Sequence, residues 1–60
     1  MRANTDRLVL ILRRRAERKS LREIASELGV TRQRVHQLER LARRDLLVVA
    51  AARAEVGAHA

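Results

Sequence analysis

The chain has 60 residues, of which 47% are hydrophobic and none aromatic, and its 14 basic and 7 acidic side chains give a formal net charge of +7. This length allows one small domain, and without cysteine neither disulfides nor a thiolate metal site can stabilise it, so self-association is the expected remedy. The positive charge favours a polyanionic partner, while the lack of a long apolar run or a signal-peptide pattern predicts a cytoplasmic protein with no membrane partner.

The first predicted helix begins at Asn4 or Thr5, because either side chain can cap free backbone amides at a helix start. The apolar residues that share one helical face and should cover the rest of the domain are Leu8, Ile11, Leu12 and Ala16. Val9 flanks this face. Leu10 lies nearly opposite it, so Leu10 is either simply exposed or in contact with a partner.

A basic cluster ends this helix, and its members are Arg13, Arg14, Arg15, Arg18 and Lys19. A charge run of this kind is usually a solvated face. Because a helix-turn-helix pattern follows it directly, we favour the interpretation that it contacts phosphates.

The second predicted helix begins with a capping box, since Ser20 and Glu23 have the S-x-x-E spacing that satisfies free amides at a helix start. Its apolar stripe at helical spacing consists of Leu21, Ile24, Ala25 and Leu28. Gly29 can take the left-handed conformation that ends a helix, and Val30 gives the turn an apolar plug. These signals predict a helix followed by a tight turn.

Thr31 is predicted to cap the third helix, which buries Val35, Leu38 and Ala42. The opposite face carries amides and guanidiniums with no carboxylate at its centre, and its members are Gln33, His36, Gln37, Arg40 and Arg44. Residues 20–46 therefore predict a helix-turn-helix in which the third helix lies on DNA.

The C-terminal segment is unusually apolar, with seven apolar residues in succession at 46–52 and no glycine or proline between Leu38 and Val56. Either the third helix continues through this segment, or the chain bends near Asp45 and forms a fourth helix. One apolar stripe comprises Ala42, Leu46, Val49 and Val56, and a neighbouring one Leu41, Val48 and Ala52. Because the first helix can hardly cover both, one stripe should close the domain and the other should meet a second subunit. The expected dimerisation residues are Leu46, Val48, Val49, Ala52 and Val56, and residues 57–60 are expected to be disordered.

Residues 20–24 (S-L-R-E-I), 28–39 (L-G-V-T-R-Q-R-V-H-Q-L-E) and 42–46 (A-R-R-D-L) resemble region four of the bacterial sigma factors. The resemblance implies a major-groove helix that begins at Thr31, in which Arg32 and Gln37 contact bases or the nearby DNA backbone and Arg34 contacts the backbone. Where the family usually has Glu, this chain has Gln33, and where it usually has Arg, this chain has His36. Glutamine pairs with adenine whereas glutamate accepts from cytosine, so the promoter specificity of the family should not be inherited.

The sequence thus predicts an all-α fold, a three-helix helix-turn-helix domain with an extended or additional C-terminal helix. One domain spans residues 1–60, with the helix-turn-helix core at 20–46 and the apolar helix at 46–56. The expected function is sequence-specific binding of double-stranded DNA by a homodimeric transcriptional repressor of bacterial or phage origin. The alternative is a sigma-like module that docks on RNA polymerase, or a DNA-binding subunit of a larger assembly.

Bases would be contacted by Arg32, Gln33, His36, Gln37 and Arg40. Phosphates would be held by Thr31, Arg34, Arg22, Arg13, Arg14 and Arg18. No enzyme, metal site or cofactor is predicted, because His36 and His59 lie far apart in the sequence and neither has a set of carboxylates or thiols at ligand spacing beside it.

Overall fold

Four helices form the domain in a computed structural model that describes the backbone of residues 2–58 and the side chains of residues 5–55. They are α1 (Arg2–Ala16), α2 (Leu21–Leu28), α3 (Arg32–Arg44) and α4 (Leu46–Ala58). The described residues contain no strand, so the all-α prediction is confirmed. No helix in this part of the chain is both long and apolar enough to cross a bilayer.

The start and end of α1 differ from what local signals predict. The helix begins at Arg2, so the prediction that Asn4 or Thr5 caps it is wrong. It ends without a glycine, because Arg18 itself takes the left-handed conformation, with a φ of 67°. The amide of Lys19 then donates to the carbonyl of Arg14 at 3.0 Å, which closes the end of the helix.

The connection from α2 to α3 follows the predicted pattern. The Ser20 hydroxyl accepts from the Glu23 amide at 3.1 Å, and the Glu23 carboxylate accepts from the Ser20 amide at 2.9 Å, which confirms the capping box. Gly29 has a φ of 70°, and the amide of Val30 donates to the carbonyl of Ala25. The Thr31 hydroxyl accepts from the Arg34 amide at 3.0 Å and caps α3.

One part of the core joins α1, α2 and α3, and its buried members are Ile11, Ile24, Ala25, Val35 and Leu38. Leu8, Leu21, Leu28 and Val30 are partly buried against it, so the turn residue does act as an apolar plug. Except for Val30 in the turn, every one of these positions lies on a stripe that helical spacing predicts. This part of the core fixes how α3 sits on the two preceding helices.

The chain bends between α3 and α4, so the fourth-helix alternative is the one observed. Asp45 is extended, with φ −97° and ψ 107°, and follows the last residue of α3. Its carboxylate accepts from the amides of Leu47 at 3.0 Å and Val48 at 3.2 Å. Asp45 therefore ends one helix and caps the next, and α4 runs one residue beyond Gly57, the predicted stop.

The other part of the core joins α4 to α1 and α3, and its buried members are Val9, Ala42, Val48 and Ala52. Val9, expected only to flank the apolar face of α1, is buried because α4 packs on that side. Ala16, expected on that face, is exposed. The bend also breaks the predicted stripes, since Ala42 now shares its cluster with Val48 and not with Leu46.

After the bend, two of the residues predicted to form a dimer interface are buried within their own domain. Val48 is 1% exposed and Ala52 is 4% exposed, so both close the core of their own domain and present no surface to a second subunit. Val49 is half-buried, whereas Leu46 is exposed. The side chain of Val56 lies outside the described residues, as do the residues at the end of the segment expected to be disordered.

Candidate nucleic-acid interface

The outer surface of α3 is built by the same periodicity that forms the core. Val35, Leu38 and Ala42 turn inward and are buried. The residues that point the other way are all exposed and form what we call the α3 polar face: Gln33, His36, Gln37, Arg40 and Arg44. The structure therefore places four of the five predicted base-contacting residues on one continuous surface. The fifth, Arg32, is exposed in the first turn of α3.

The only carboxylate of α3 is kept away from this surface. Glu39 is 6% exposed and accepts hydrogen bonds from Arg43 at 2.7 Å and from Arg15 at 3.1 Å. Burial alone would raise the pKa of Glu39, but the bonds from Arg43 and Arg15 outweigh it and hold the pKa below its usual value. Glu39 therefore stays ionised, and its charge is neutralised inside the domain. The α3 polar face presents no negative charge.

The N-terminal end of α3 adds further positive character. Its first turn contains no acidic residue, and the exposed Arg32 and Arg34 lie there with the positive end of the helix dipole. Thr31 uses its oxygen as an acceptor for the cap, so its hydroxyl hydrogen can still be donated to a phosphate. Within the described residues, neither arginine forms an ion pair. This end of the helix can hold an anion.

The arginine run of α1 has a different arrangement, because each of its three members pairs with a carboxylate on a different helix. Arg13 bonds Glu55 of α4 at 3.0 Å, Arg14 bonds Glu27 of α2 at 2.9 Å, and Arg15 bonds Glu39 of α3. We call these three pairs the α1 ion-pair hub: Arg13–Glu55, Arg14–Glu27 and Arg15–Glu39. The run ties α1 to every other helix of the domain.

This hub is what sequence reasoning missed. The sequence assigned Arg13 and Arg14 to phosphates, yet in the structure both are occupied by carboxylates of the same chain. The hydrogen bond from Arg14 lowers the pKa of Glu27, although desolvation opposes it. Arg14 and Glu27 lie 13 residues apart, so no local spacing signals the pair. Phosphate contact by Arg13 and Arg14 stays a prediction. It would now require each arginine to share or break its ion pair.

The remaining predicted phosphate contacts are exposed. Arg22 lies in the first turn of α2, and Arg18 lies between α1 and α2. In the side chains described for residues 5–55, neither takes part in an ion pair. Over the same residues, no group of three or more His, Cys, Asp or Glu side chains could hold a metal ion.

The comparison with protein families agrees with this geometry. The family described as "Sigma-70, region 4" matches residues 4–46, a span that includes α2, the turn and α3 and ends just after the Asp45 bend. No curated protein and no solved structure matches the chain significantly. The family is a DNA-binding helix-turn-helix domain. Since the match covers well over half of the 60 residues, the chain belongs to the sigma-70 region 4 family.

Proposed function

We propose that this protein is a sequence-specific regulator of transcription that places α3 in the major groove of double-stranded DNA. The observation that carries the proposal is the α3 polar face, which combines exposed amides and guanidiniums while the one carboxylate of the helix is buried and paired. Gln33 and Gln37 suit adenine, and Arg40 suits guanine, because these side chains can form two hydrogen bonds to those base edges. His36 and Arg32 flank them.

The proposed phosphate contacts fall on four exposed residues outside this face, and three of them are arginines. Thr31 and Arg34 lie at the start of α3, and Arg22 and Arg18 lie at the start of α2 and just before it. Contacts of this kind fix the position of α3 but carry no sequence information. Repression by occlusion is the simplest outcome, because it requires only that the domain occupy its site.

The decisive experiment is selection of bound duplexes from a random pool, followed by sequencing. We expect one short preferred motif with adenine and guanine at fixed positions. Binding of all sequences alike would overturn sequence-specific recognition, and no binding at low salt would overturn DNA binding by this chain. A motif identical to a promoter hexamer would show that Gln33 and His36 do not change the specificity of the family.

We also propose that two copies cooperate on DNA through exposed leucines at the bend between α3 and α4. This surface, which we call the leucine corner, consists of Leu41, Leu46 and Leu47, which are 53%, 82% and 83% exposed and line one shallow hollow. A stable interface usually needs about 800 Å² and roughly 20–30 residues from each partner. Three leucines are far fewer, so the contact should be weak in solution and effective when DNA holds two copies together.

Sedimentation and titration of a two-site duplex test this contact. We expect a monomer in solution at micromolar concentration and cooperative binding to two half-sites spaced by about one turn, roughly 34–36 Å. Leu46→Ser and Leu47→Ser should reduce the cooperativity but not the affinity for a single half-site. The matched control is Ala50→Ser, since Ala50 is an exposed residue of α4 outside the leucine corner. Unchanged cooperativity in the two leucine variants would contradict this assignment.

Contact with RNA polymerase is a second candidate function, which membership of the sigma-70 region 4 family favours. In this case the leucine corner would contact RNA polymerase and not a second copy of the chain. Titration of the labelled chain with purified polymerase core separates the two. Saturable binding that Leu47→Ser weakens supports polymerase docking, whereas no binding leaves the second copy as the occupant.

A further inference from the structure

A second positive surface lies where the end of α1 meets α3 and α4, away from the α3 polar face. An open groove of about 760 Å³ is found there, and we call it the α1–α4 groove. Its apolar lining includes Leu12, Val49 and Ala52. Its cationic lining consists of Arg15, Arg18, Lys19, Arg43 and Arg53. None of Gln33, Gln37 and Arg40 lines it, so its occupation leaves the proposed base contacts free, and Arg18 is the one proposed phosphate contact that also lines the groove.

The charge of this groove is poorly balanced by the protein itself. Among the described residues, the carboxylate of Glu39 pairs with Arg15 and Arg43, and no ion pair joins the other three cations to anything. Those three, Arg18, Lys19 and Arg53, are exposed. A concave surface with excess positive charge attracts an anionic ligand.

The backbone at Arg18 gives an independent reason to treat the groove as a binding site. Arg18 ends α1 in the left-handed conformation, a position that favours glycine because a Cβ atom strains the backbone there. Its side chain lines the α1–α4 groove. Non-glycine residues held in this conformation cluster at active sites and ligand-binding sites, where the surrounding structure keeps them in place.

We propose that the α1–α4 groove binds an acidic amphipathic segment of a partner protein. Apolar side chains of that segment would pack on Leu12, Val49 and Ala52, and its carboxylates would bond the guanidiniums of Arg18 and Arg53. Arginine forms paired, charge-assisted hydrogen bonds with carboxylates, as Arg14 and Glu27 already show within the domain. The apolar lining decides against the DNA backbone as the occupant, since a phosphate chain has no apolar group to bury there.

The probe is a synthetic helical peptide with leucines along one face and glutamates beside them, titrated into the 60-residue chain. Two matched peptides replace either every glutamate by glutamine or every leucine by serine. We expect saturable binding of the first peptide and at least tenfold weaker binding of both others. Amide shifts in NMR spectra should be largest around Leu12, Val49 and Ala52.

Variants then separate a specific site from general attraction of charge. Arg53→Glu should weaken the peptide at least tenfold, whereas Arg7→Glu makes the same charge change on an exposed residue outside the groove and should alter the affinity less than threefold. Arg18→Gly removes a cation and relieves the strained φ. It should therefore raise the melting temperature while it weakens the peptide, which a purely structural role of Arg18 would not produce.

Three results would overturn the proposal. The first is no saturable binding of the acidic peptide up to millimolar concentration, and the second is equal loss of affinity in Arg53→Glu and Arg7→Glu. The third is a loss of duplex affinity in Arg53→Glu as large as the loss in Arg40→Ala, because the groove would then hold the DNA backbone. The proposed function stands or falls separately, since the duplex selection does not depend on the α1–α4 groove.

Discussion

Two groups of arginines, one near the end of α1 and one on the exposed side of α3, lie in different environments. Arg13, Arg14 and Arg15 each meet a carboxylate from another helix, whereas Arg34 and Arg40 of α3 are exposed and form no ion pair in the part of the chain that the structure describes. The difference shows that the density of arginine alone does not identify which cations are unpaired. The positions of the carboxylates do, because they pair with Arg13, Arg14, Arg15 and Arg43, whereas Arg34 and Arg40 form no ion pair among the described residues.

The largest expected effect is the salt dependence of DNA binding. If the exposed arginines and their neighbours neutralise about six phosphates, affinity should fall about a thousandfold between about 50 and 200 mM salt, since each contact releases a condensed counterion. Fluorescence anisotropy of a labelled duplex across this range measures the slope. A flat response would contradict phosphate contact by either set of arginines.

The next effect separates base contacts from phosphate contacts on α3. Gln33→Ala and Gln37→Ala should each cost about 1–3 kcal/mol on the preferred site and relax its sequence preference. Arg34→Gln is the control, because it should weaken all duplexes alike and lower the salt slope by about one. Competition binding with preferred and scrambled duplexes measures the affinity and the sequence preference. The same experiment at several salt concentrations measures the salt slope. Equal losses on both duplexes in the glutamine variants would assign Gln33 and Gln37 to the backbone.

A third prediction concerns the buried carboxylate that joins the two arginine sets. Glu39→Gln should destabilise the domain by about 1–3 kcal/mol, because charge-assisted bonds to Arg15 and Arg43 are weakened. Glu55→Gln is the matched control: it also removes the partner of an arginine, but at a more exposed site, so it should cost about 1 kcal/mol or less. Thermal melting at neutral pH measures both, and equal costs would show that burial of Glu39 contributes nothing.

The same residue predicts how stability depends on pH. The folded-state pKa of Glu39 lies below the usual glutamate value of 4.5, so its contribution is fully present above that value and is lost as the pH falls through the lowered pKa. Glu27 and Glu23 contribute with the same sign, because their pKa values are also lowered. The melting temperature should therefore drop below about pH 5, and Glu39→Gln should flatten this drop. If the melting temperature of the variant depends on pH as that of the wild type does, Glu39 does not contribute to the loss of stability in acid.

The smallest expected effect tests the α1 ion-pair hub directly. Arg14→Gln should lower the melting temperature only slightly, because the pair with Glu27 is partly exposed and screened by solvent. Its affinity for any duplex should change less than threefold, since Arg14 is already occupied. If fully folded Arg14→Gln instead binds every duplex tenfold or more weakly, Arg14 contacts phosphates as the sequence predicts.

The sequence by itself determined the α2–turn–α3 unit, and the reason is that its signals are local. A capping box joins residues three apart, Gly29 acts through its own φ, and the stripe of Val35, Leu38 and Ala42 depends only on the period of a helix. Such features are largely independent of what packs against them. For this reason the α3 polar face could also be predicted, because it is the complement of the buried stripe.

Only the tertiary structure decided which side of α4 is buried and which carboxylates pair with the arginines of α1. Seven apolar residues can continue a helix or begin a new one, and the two bonds accepted by Asp45 settle that choice through a bend. The bend changes which side of α4 turns inward, and this buries Val48 against Val9 while it leaves Leu46 and Leu47 exposed. The partners of Arg13, Arg14 and Arg15 follow from the same packing. Contacts between residues far apart in the chain depend on how whole helices meet, and no local spacing records that.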